Sequence, residues 1–251
     1  MPVIPSLAAG VVLLRPRKIP EVEDGPLQVF LTRRPDGMPV AGGNYVFPGG
    51  KLDPGDFTPE NLGLSSGMDP ARAARILGDG QSPERSLGLW LAAIRELFEE
   101  TGILLCTTTD GRGPEALPAH LHERLAVGRD EVRRRSRSLG SLLTELGLRY
   151  QPVNLRYLTR WITPTYSPIR FDAWFFFCQM PPGQTPSLCE REVAEARWLE
   201  PAAALTAWRA REIRMRPPTV ITLMYLAQYP TCSSLFSLHT EGKQGVRIPH
   251  G

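Results

Sequence analysis

Apolar positions along the chain fall into two rhythms. Short runs rich in β-branched and aromatic residues read as strands at 8–14 (AAGVVLL), 27–33 (LQVFLTR), 154–162 (NLRYLTRWI) and 171–179 (FDAWFFFCQ), with a shorter one near 195–199. Apolar residues at three- and four-residue spacing predict helices over about 86–101, 115–147, 201–213 and 218–228. Strands separated by helices, without regular β-α-β alternation, predict an α/β or α+β layered domain with a mixed sheet. Two stretches break the rhythm and read as insertions. One spans about 57–87, has Pro, Gly and Ser at intervals and carries a modest helix near 70–77. The other, 112–150, reads as polar and helical with little apolar surface.

The helix over 86–101 carries the first chemistry. At about 100° per residue, Glu99 and Glu100 fall within roughly 60° of Glu96, so three carboxylates share one narrow face. Leu87, Trp90, Leu91, Ile94, Leu97 and Phe98 occupy the other side. Acids at i, i+3 and i+4 repel one another, and a hard divalent cation would turn that repulsion into binding. An ordinary Glu-rich surface helix, helped by an Arg95–Glu99 pair, fits the same pattern. Gly102 supplies a left-handed C-terminal cap. Upstream, FPGG at 47–50 predicts a tight turn whose glycines permit close approaches, able to aim a carbonyl oxygen at a cation or simply to end a strand.

The chain's 251 residues are enough for one domain with elaborations. Net charge is +3, and only three of the 29 basic residues are Lys, which reads as a compositional bias rather than a nucleic-acid surface. The densest basic run, RRRSR at 133–137, is expected to be a solvated helix face. Four scattered cysteines with no CxxC pair predict neither a zinc site nor a disulfide framework. With no leader and no run long enough to span a bilayer, the expectation is an intracellular, cytoplasmic protein with no membrane and no nucleic-acid partner. His120, His122, His239 and His250 have no metal-like spacing and are assigned no catalytic role.

Taken together, these pieces resemble the Nudix hydrolases, whose signature is GX5EX7REUXEEXGU with U aliphatic. The second half is complete from Arg95 to Ile103. The first half begins at Gly50, and its acid position holds Asp56 rather than Glu. Between Asp56 and Arg95 lie 38 residues where the signature has seven, so the insertion falls inside the signature. Loop closure tolerates such length because its entropic cost grows slowly. A subgroup of the family, the peroxisomal-type coenzyme A diphosphatases of the Nudix 19 kind, carries an insertion at this place. The segments 161–177, 192–205 and 216–227 are similar to that subgroup as well. A second pattern of coenzyme A-cleaving members, LLTXR[SA]X3RX3GX3FPGG, keeps its spacing at Leu31, Thr32, Arg34, Gly43 and 47–50. Here Pro35 replaces the small residue and Pro39 replaces the second Arg.

The resemblance implies a Nudix-type α/β/α sandwich that hydrolyses a nucleoside diphosphate derivative with Mg2+ or Mn2+. Glu96, Glu99, Glu100 and the Gly49 carbonyl would hold the metal, and Arg95 would orient a glutamate. Glu96, Glu100 or a later carboxylate among Glu190, Glu192 and Glu195 would serve as base. Arg33, Arg34 or Arg170 would meet the substrate phosphates in place of the missing Arg. Asp56 would serve the fold or an outer metal shell. Trp161, Tyr166, Phe171 and Trp174 are candidates for stacking on a base, or for core packing. The insertion 112–150 would cover the site or join two copies of the chain as a homodimer. Coenzyme A or acyl-coenzyme A is the first substrate class, releasing adenosine 3',5'-bisphosphate. ADP-ribose, NADH or a nucleotide sugar is the second, and a catalytically silent nucleotide-binding module the third reading.

Overall fold

The computed structural model describes residues 3–78, 80–189 and 191–239. Its strands are β1 (Ser6–Pro16), β2 (Leu27–Arg33), β3 (Asn44–Val46), β4 (Gly49–Lys51), β5 (Cys106–Thr108), β6 (Leu148–Tyr150), β7 (Arg156–Ile162), β8 (Phe171–Gln179), β9 (Glu195–Leu199) and β10 (Arg214–Met215). The helices are α1 (Pro59–Gly63), α2 (Pro70–Leu77), α3 (Pro83–Thr101), α4 (Ala119–Arg133), α5 (Leu139–Glu145), α6 (Pro201–Arg209), α7 (Pro217–Leu226) and α8 (Cys232–Leu238).

β1 is the axis of a mixed sheet ordered β10-β3-β2-β1-β8-β7. It runs parallel to β8 from Ser6–Phe171 to Leu14–Gln179, antiparallel to β2 at its far end and antiparallel to β4 along Ala8–Gly10. A strand covered on both faces needs apolar residues at every position, which accounts for the unbroken run in β1. Its side chains alternate between two cores. Ala9, Val11 and Leu13 pack on the α3 side, whereas Val12 and Leu14 pack on the α6–α8 side. The result is the expected α/β/α sandwich.

Four expectations are corrected. Only Phe47 and Pro48 of FPGG make the bend, and its two glycines already belong to strand β4, because a glycine at 49 lets the chain lie against β1; a Cβ there would come within 2.5 Å of the Ala9 carbonyl oxygen. The helix expected over 115–147 is two helices, and RRRSR is their junction rather than a helix face. Arg135 takes φ 56°, and the Ser138 side chain accepts the Ser141 N–H to start α5. The second insertion is also far from apolar-poor. Leu117, Val132, Leu139, Leu142, Leu143, Leu146, Leu148 and Tyr150 all enter the α3 core, while Arg124, Glu131, Arg137 and Glu145 form an ion network on its outside. Finally, α6 stops at Arg209, since Arg211 takes φ 62°. The histidine at 250 lies outside the described residues.

α3 is the element that carries the site. Ser82 caps its start by accepting the Arg85 N–H, Pro83 occupies the first turn, and Gly102 closes it at φ 74°. α2 from the first insertion and the 3-10 turn Pro54–Phe57 that precedes it pack along α3, so α3 is enclosed by the sheet on one side and by these elements on another.

Candidate active site

The last two turns of α3 meet β4 and the 3-10 turn at Arg95. Its guanidinium donates to Asp56 through Nε–Oδ1 (2.7 Å) and Nη2–Oδ2 (2.9 Å), to Glu96 Oε1 (2.7 Å), to Glu99 Oε1 (2.9 Å) and to the Lys51 carbonyl (2.9 Å). Burial works against its charge, but Asp56, Glu96 and Glu99 outweigh that and hold its pKa above the usual value. Arg95 thus orients two glutamates and ties both halves of the interrupted motif together. Asp56 is buried, and its second oxygen also accepts the Asp53 N–H (2.8 Å) in a capping box. The shorter acid reaches Arg95 because the 3-10 turn carries it there.

All three glutamates are held above the usual carboxylate range. Burial raises Glu96 to about 7, with Arg95 opposing and Glu99 adding to the rise. Burial also raises Glu99, against the pull of Arg95. Glu100, only 5 % exposed, is also pushed well above that range, first by burial and then by Glu96, with Arg34 pulling the other way. The Gly49 main chain also hydrogen-bonds the Glu100 carboxylate. Gly50 leaves room for the Glu96 carboxylate: a Cβ there would lie 2.4–2.5 Å from its atoms. Gly50→Ala should therefore swing the flexible Glu96 head away, lowering turnover by about tenfold or more through misplacement, with a change in thermal midpoint too small to account for it. Steady-state kinetics beside a melting curve checks this.

The expected substrate arginines separate. Arg33 is paired with Asp36 (3.1 Å) and faces Glu195 (3.9 Å). Arg170 donates to the Thr163 and Val3 carbonyls, at 2.9 and 2.6 Å, and fastens the β7–β8 loop to the N-terminal segment. Of the three, Arg34 acts electrostatically on Glu100, and its buried Nε has no hydrogen-bond partner among the described residues.

The candidate aromatics also divide. Trp174 is core, beneath the Arg160 guanidinium, and Tyr166 is 88 % exposed. Trp161 and Phe171 are partly buried.

Of the loop carboxylates, Glu192 raises the pKa of both Glu99 and Glu100, whereas Glu195 is taken up by the Tyr45 hydroxyl (2.8 Å) and by Arg197. Glu190 lies outside the described residues. The loop before Glu192 is zipped to the end of α3. The Ser187 N–H reaches the Thr101 carbonyl (2.7 Å) and the Cys189 N–H reaches that of Glu100 (3.2 Å), while the Gln184 side chain exchanges two hydrogen bonds with the Leu104 main chain. Sequence reasoning missed this zipper and also Arg129, whose guanidinium donates to the Glu99 carbonyl. No spacing in the sequence signals either one.

Asp56, Glu96, Glu99, Glu100 and Glu192 outnumber the cations among them, Arg95 and Arg34. Among the described residues no ready-made metal cluster converges, since Arg95 draws on one oxygen each of Glu96 and Glu99. The oxygen-only donor set, its surplus negative charge and its raised pKa values fit a hard divalent cation.

The family model for the NUDT19 Nudix domain matches residues 5–226. The chain belongs to this Nudix family. Human acyl-coenzyme A diphosphatase NUDT19 is 29% identical to it over 265 residues, covering 91% of this chain and 70% of that protein. The chicken protein of the same name is 32% identical over 248 residues, covering 84% of this chain and 63% of its own length, so the chain spans less than two thirds of that relative. The crystal structure of a Nudix hydrolase from Alicyclobacillus acidocaldarius superposes with a TM-score of 0.72 at 25% identity, covering 98% of this chain and 99% of the other. In this Nudix domain, then, the signature glutamates lie on α3, the insertion within the signature packs as α1 and α2, and Asp56 stands at the first acid position.

Proposed function

We propose that this Nudix domain hydrolyses the diphosphate linkage of coenzyme A or acyl-coenzyme A, yielding adenosine 3',5'-bisphosphate and phosphopantetheine or its acyl form. The observation that carries this reading is the Arg34 Nε donor, without a partner among the described residues, on a side chain that acts on Glu100 and stands in the position that the coenzyme A pattern gives to arginine. The relatives named acyl-coenzyme A diphosphatase support the same substrate class. Mg2+ or Mn2+ bound by Glu96, Glu99, Glu100 and the Gly49 carbonyl would supply neutralisation of the diphosphate oxygens and a more acidic attacking water.

The chain's own groups do the rest. Arg34 donates to a diphosphate oxygen, which fixes the scissile linkage over α3. Arg95 keeps Glu96 and Glu99 from splaying apart. Glu192, the described loop carboxylate that bears on both Glu99 and Glu100, accepts the proton of the attacking water. Phosphoryl transfer asks mainly for positioning and charge stabilisation, and these residues provide both. Four buried, unpaired cysteines suit a reducing, intracellular setting. Among the described residues no helix is long and apolar enough to cross a membrane.

ADP-ribose, NADH or a nucleotide sugar is the second reading. It is favoured by Pro39, because Arg33 and Arg170 are committed elsewhere and leave the missing Arg without a replacement. Incubation with Mg2+ or Mn2+ and each candidate in turn, followed by mass spectrometry of the products, separates the two. The expected product is adenosine 3',5'-bisphosphate from the coenzyme A samples, with KM rising about tenfold or more in Arg34→Met as a charged hydrogen bond is lost. AMP from the other substrates alone would replace the first reading by the second. No product from any of them would leave a binding module.

A further inference from the structure

The last carbonyls of a helix have no partners within it and must be met from outside. At the end of α3 each of them is accounted for. The Phe98 carbonyl takes the Gly102 N–H (2.8 Å), that of Glu100 takes Cys189 and that of Thr101 takes Ser187. The Glu99 carbonyl is different. Among the described residues it is met not by a main-chain N–H from outside the helix but by two donors of one side chain, Arg129 Nε at 3.1 Å and Nη2 at 3.0 Å. Arg129 comes from α4, in the second insertion, thirty residues further along the chain.

The Glu99 carbonyl belongs to the peptide group that joins Glu99 to Glu100. Gripping its oxygen therefore sets both Cα atoms, and with them the origin of two carboxylates. We propose that Arg129 is a positioning residue of the active site, through which the second insertion holds Glu99 and Glu100 in place. This rests on the reading of those acids as the metal-binding set.

Three further observations agree. The guanidinium sits at the negative end of the α3 dipole, where a cation is favoured. Gly102 leaves the space it needs, since a Cβ at that position would lie 3.1 Å from Arg129 Nη1. And α4 is not free to drift: Val132 is buried in the α3 core, and Leu121 and Leu125 pack against it. The second insertion is thus neither a bare cover nor only a surface for another copy. It is a brace that reaches the end of the catalytic helix. Arg129 also lies within electrostatic reach of Glu192, so the same side chain faces both the helix and the loop that carries the remaining carboxylate.

The test compares the wild type with Arg129→Met, Arg129→Lys and Arg124→Ala. Arg124 is on the same helix, but among the described residues it bonds Glu131 and Glu145 in the outer network, so it controls for damage to the insertion. Binding of Mn2+ to each protein without substrate is followed by the EPR signal of the free ion, and kcat, KM and the melting midpoint are measured alongside. For Arg129→Met, Mn2+ affinity and kcat should each fall by about 10- to 100-fold, the range for residues that orient metal-binding groups. KM should stay within about threefold of the wild type, the sign of lost transition-state rather than uniform binding. Arg129→Lys, which keeps charge and one donor, should recover part of both, and Arg124→Ala should match the wild type. Should Arg129→Met not fold, the lysine variant still carries the comparison. Mn2+ binding and kcat unchanged in Arg129→Met, or lost equally in Arg124→Ala, would overturn the positioning role alone. A wild type that binds no Mn2+ would overturn the metal set and this role with it.

Discussion

Glu100→Gln is expected to reduce turnover by about a hundredfold or more, the scale of losing a preorganised electrostatic group, while the protein melts at the same temperature or higher. The two effects have one cause. Glu100 is buried, and its pKa lies well above the usual value because burial and Glu96 both oppose its charge. In the metal-free protein the raised pKa means that the folded state holds this proton to higher pH than the unfolded chain does. This group's contribution to stability is therefore complete below the unfolded pKa and is lost as pH rises through the folded pKa. Gln is neutral at every pH and nearly the same shape, so the variant avoids that cost. Melting midpoints in EDTA at pH 5 and pH 8 should show the variant gaining on the wild type as pH rises. Adding Mn2+ should raise the midpoint of the wild type more than that of the variant. Near-full turnover in Glu100→Gln would remove this carboxylate from the mechanism.

Arg95→Met should differ in costing stability as well as activity. The guanidinium is the shared partner of Asp56, Glu96, Glu99 and the Lys51 carbonyl. Removing it leaves buried acids without compensation, which costs about 3–5 kcal/mol, a large share of the roughly 5–15 kcal/mol that holds a typical domain together. Arg95→Lys should recover only a minority of the loss, because one ammonium cannot reproduce a planar fork shared among acceptors on three segments. Urea titration gives the stability change and steady-state assays the activity. An unfolding midpoint within experimental error of the wild type would show that the acids find other partners and that Arg95 is no hub.

The helix that bears the site was legible because its pattern is local. An apolar stripe, three acids at i, i+3 and i+4 and a terminal glycine all lie within 87–102, while the Ser82 cap and Pro83, which start the helix three residues before the expected 86, went unread. β1, β2, β8 and β9 were legible for the same reason, as each carries its own apolar signature. The short strands β3, β5, β6 and β10 were not. Two or three residues hold too little pattern, and they are strands only because a partner strand is beside them. The second insertion was misjudged because its many charges masked the leucines of 139–148, which are apolar enough to join the α3 core.

By itself the sequence determined the layered α/β class, the acids on one helix face, the Arg that orders them and the interruption of the motif between Asp56 and Arg95. Each depends on residue type and near spacing, which the chain carries openly. The tertiary structure decided which of three arginines keeps a buried Nε without a partner among the described residues, that Glu192 bears on Glu99 and Glu100 while Glu195 is bonded to Tyr45 and Arg197, and that Arg129 grips the end of the helix that carries the acids. These are meetings between segments far apart in the chain. They depend on the packing of α4 against α3 and on the zipper from 184 to 189, and backbone carbonyls, which take part in both, carry no mark in a sequence.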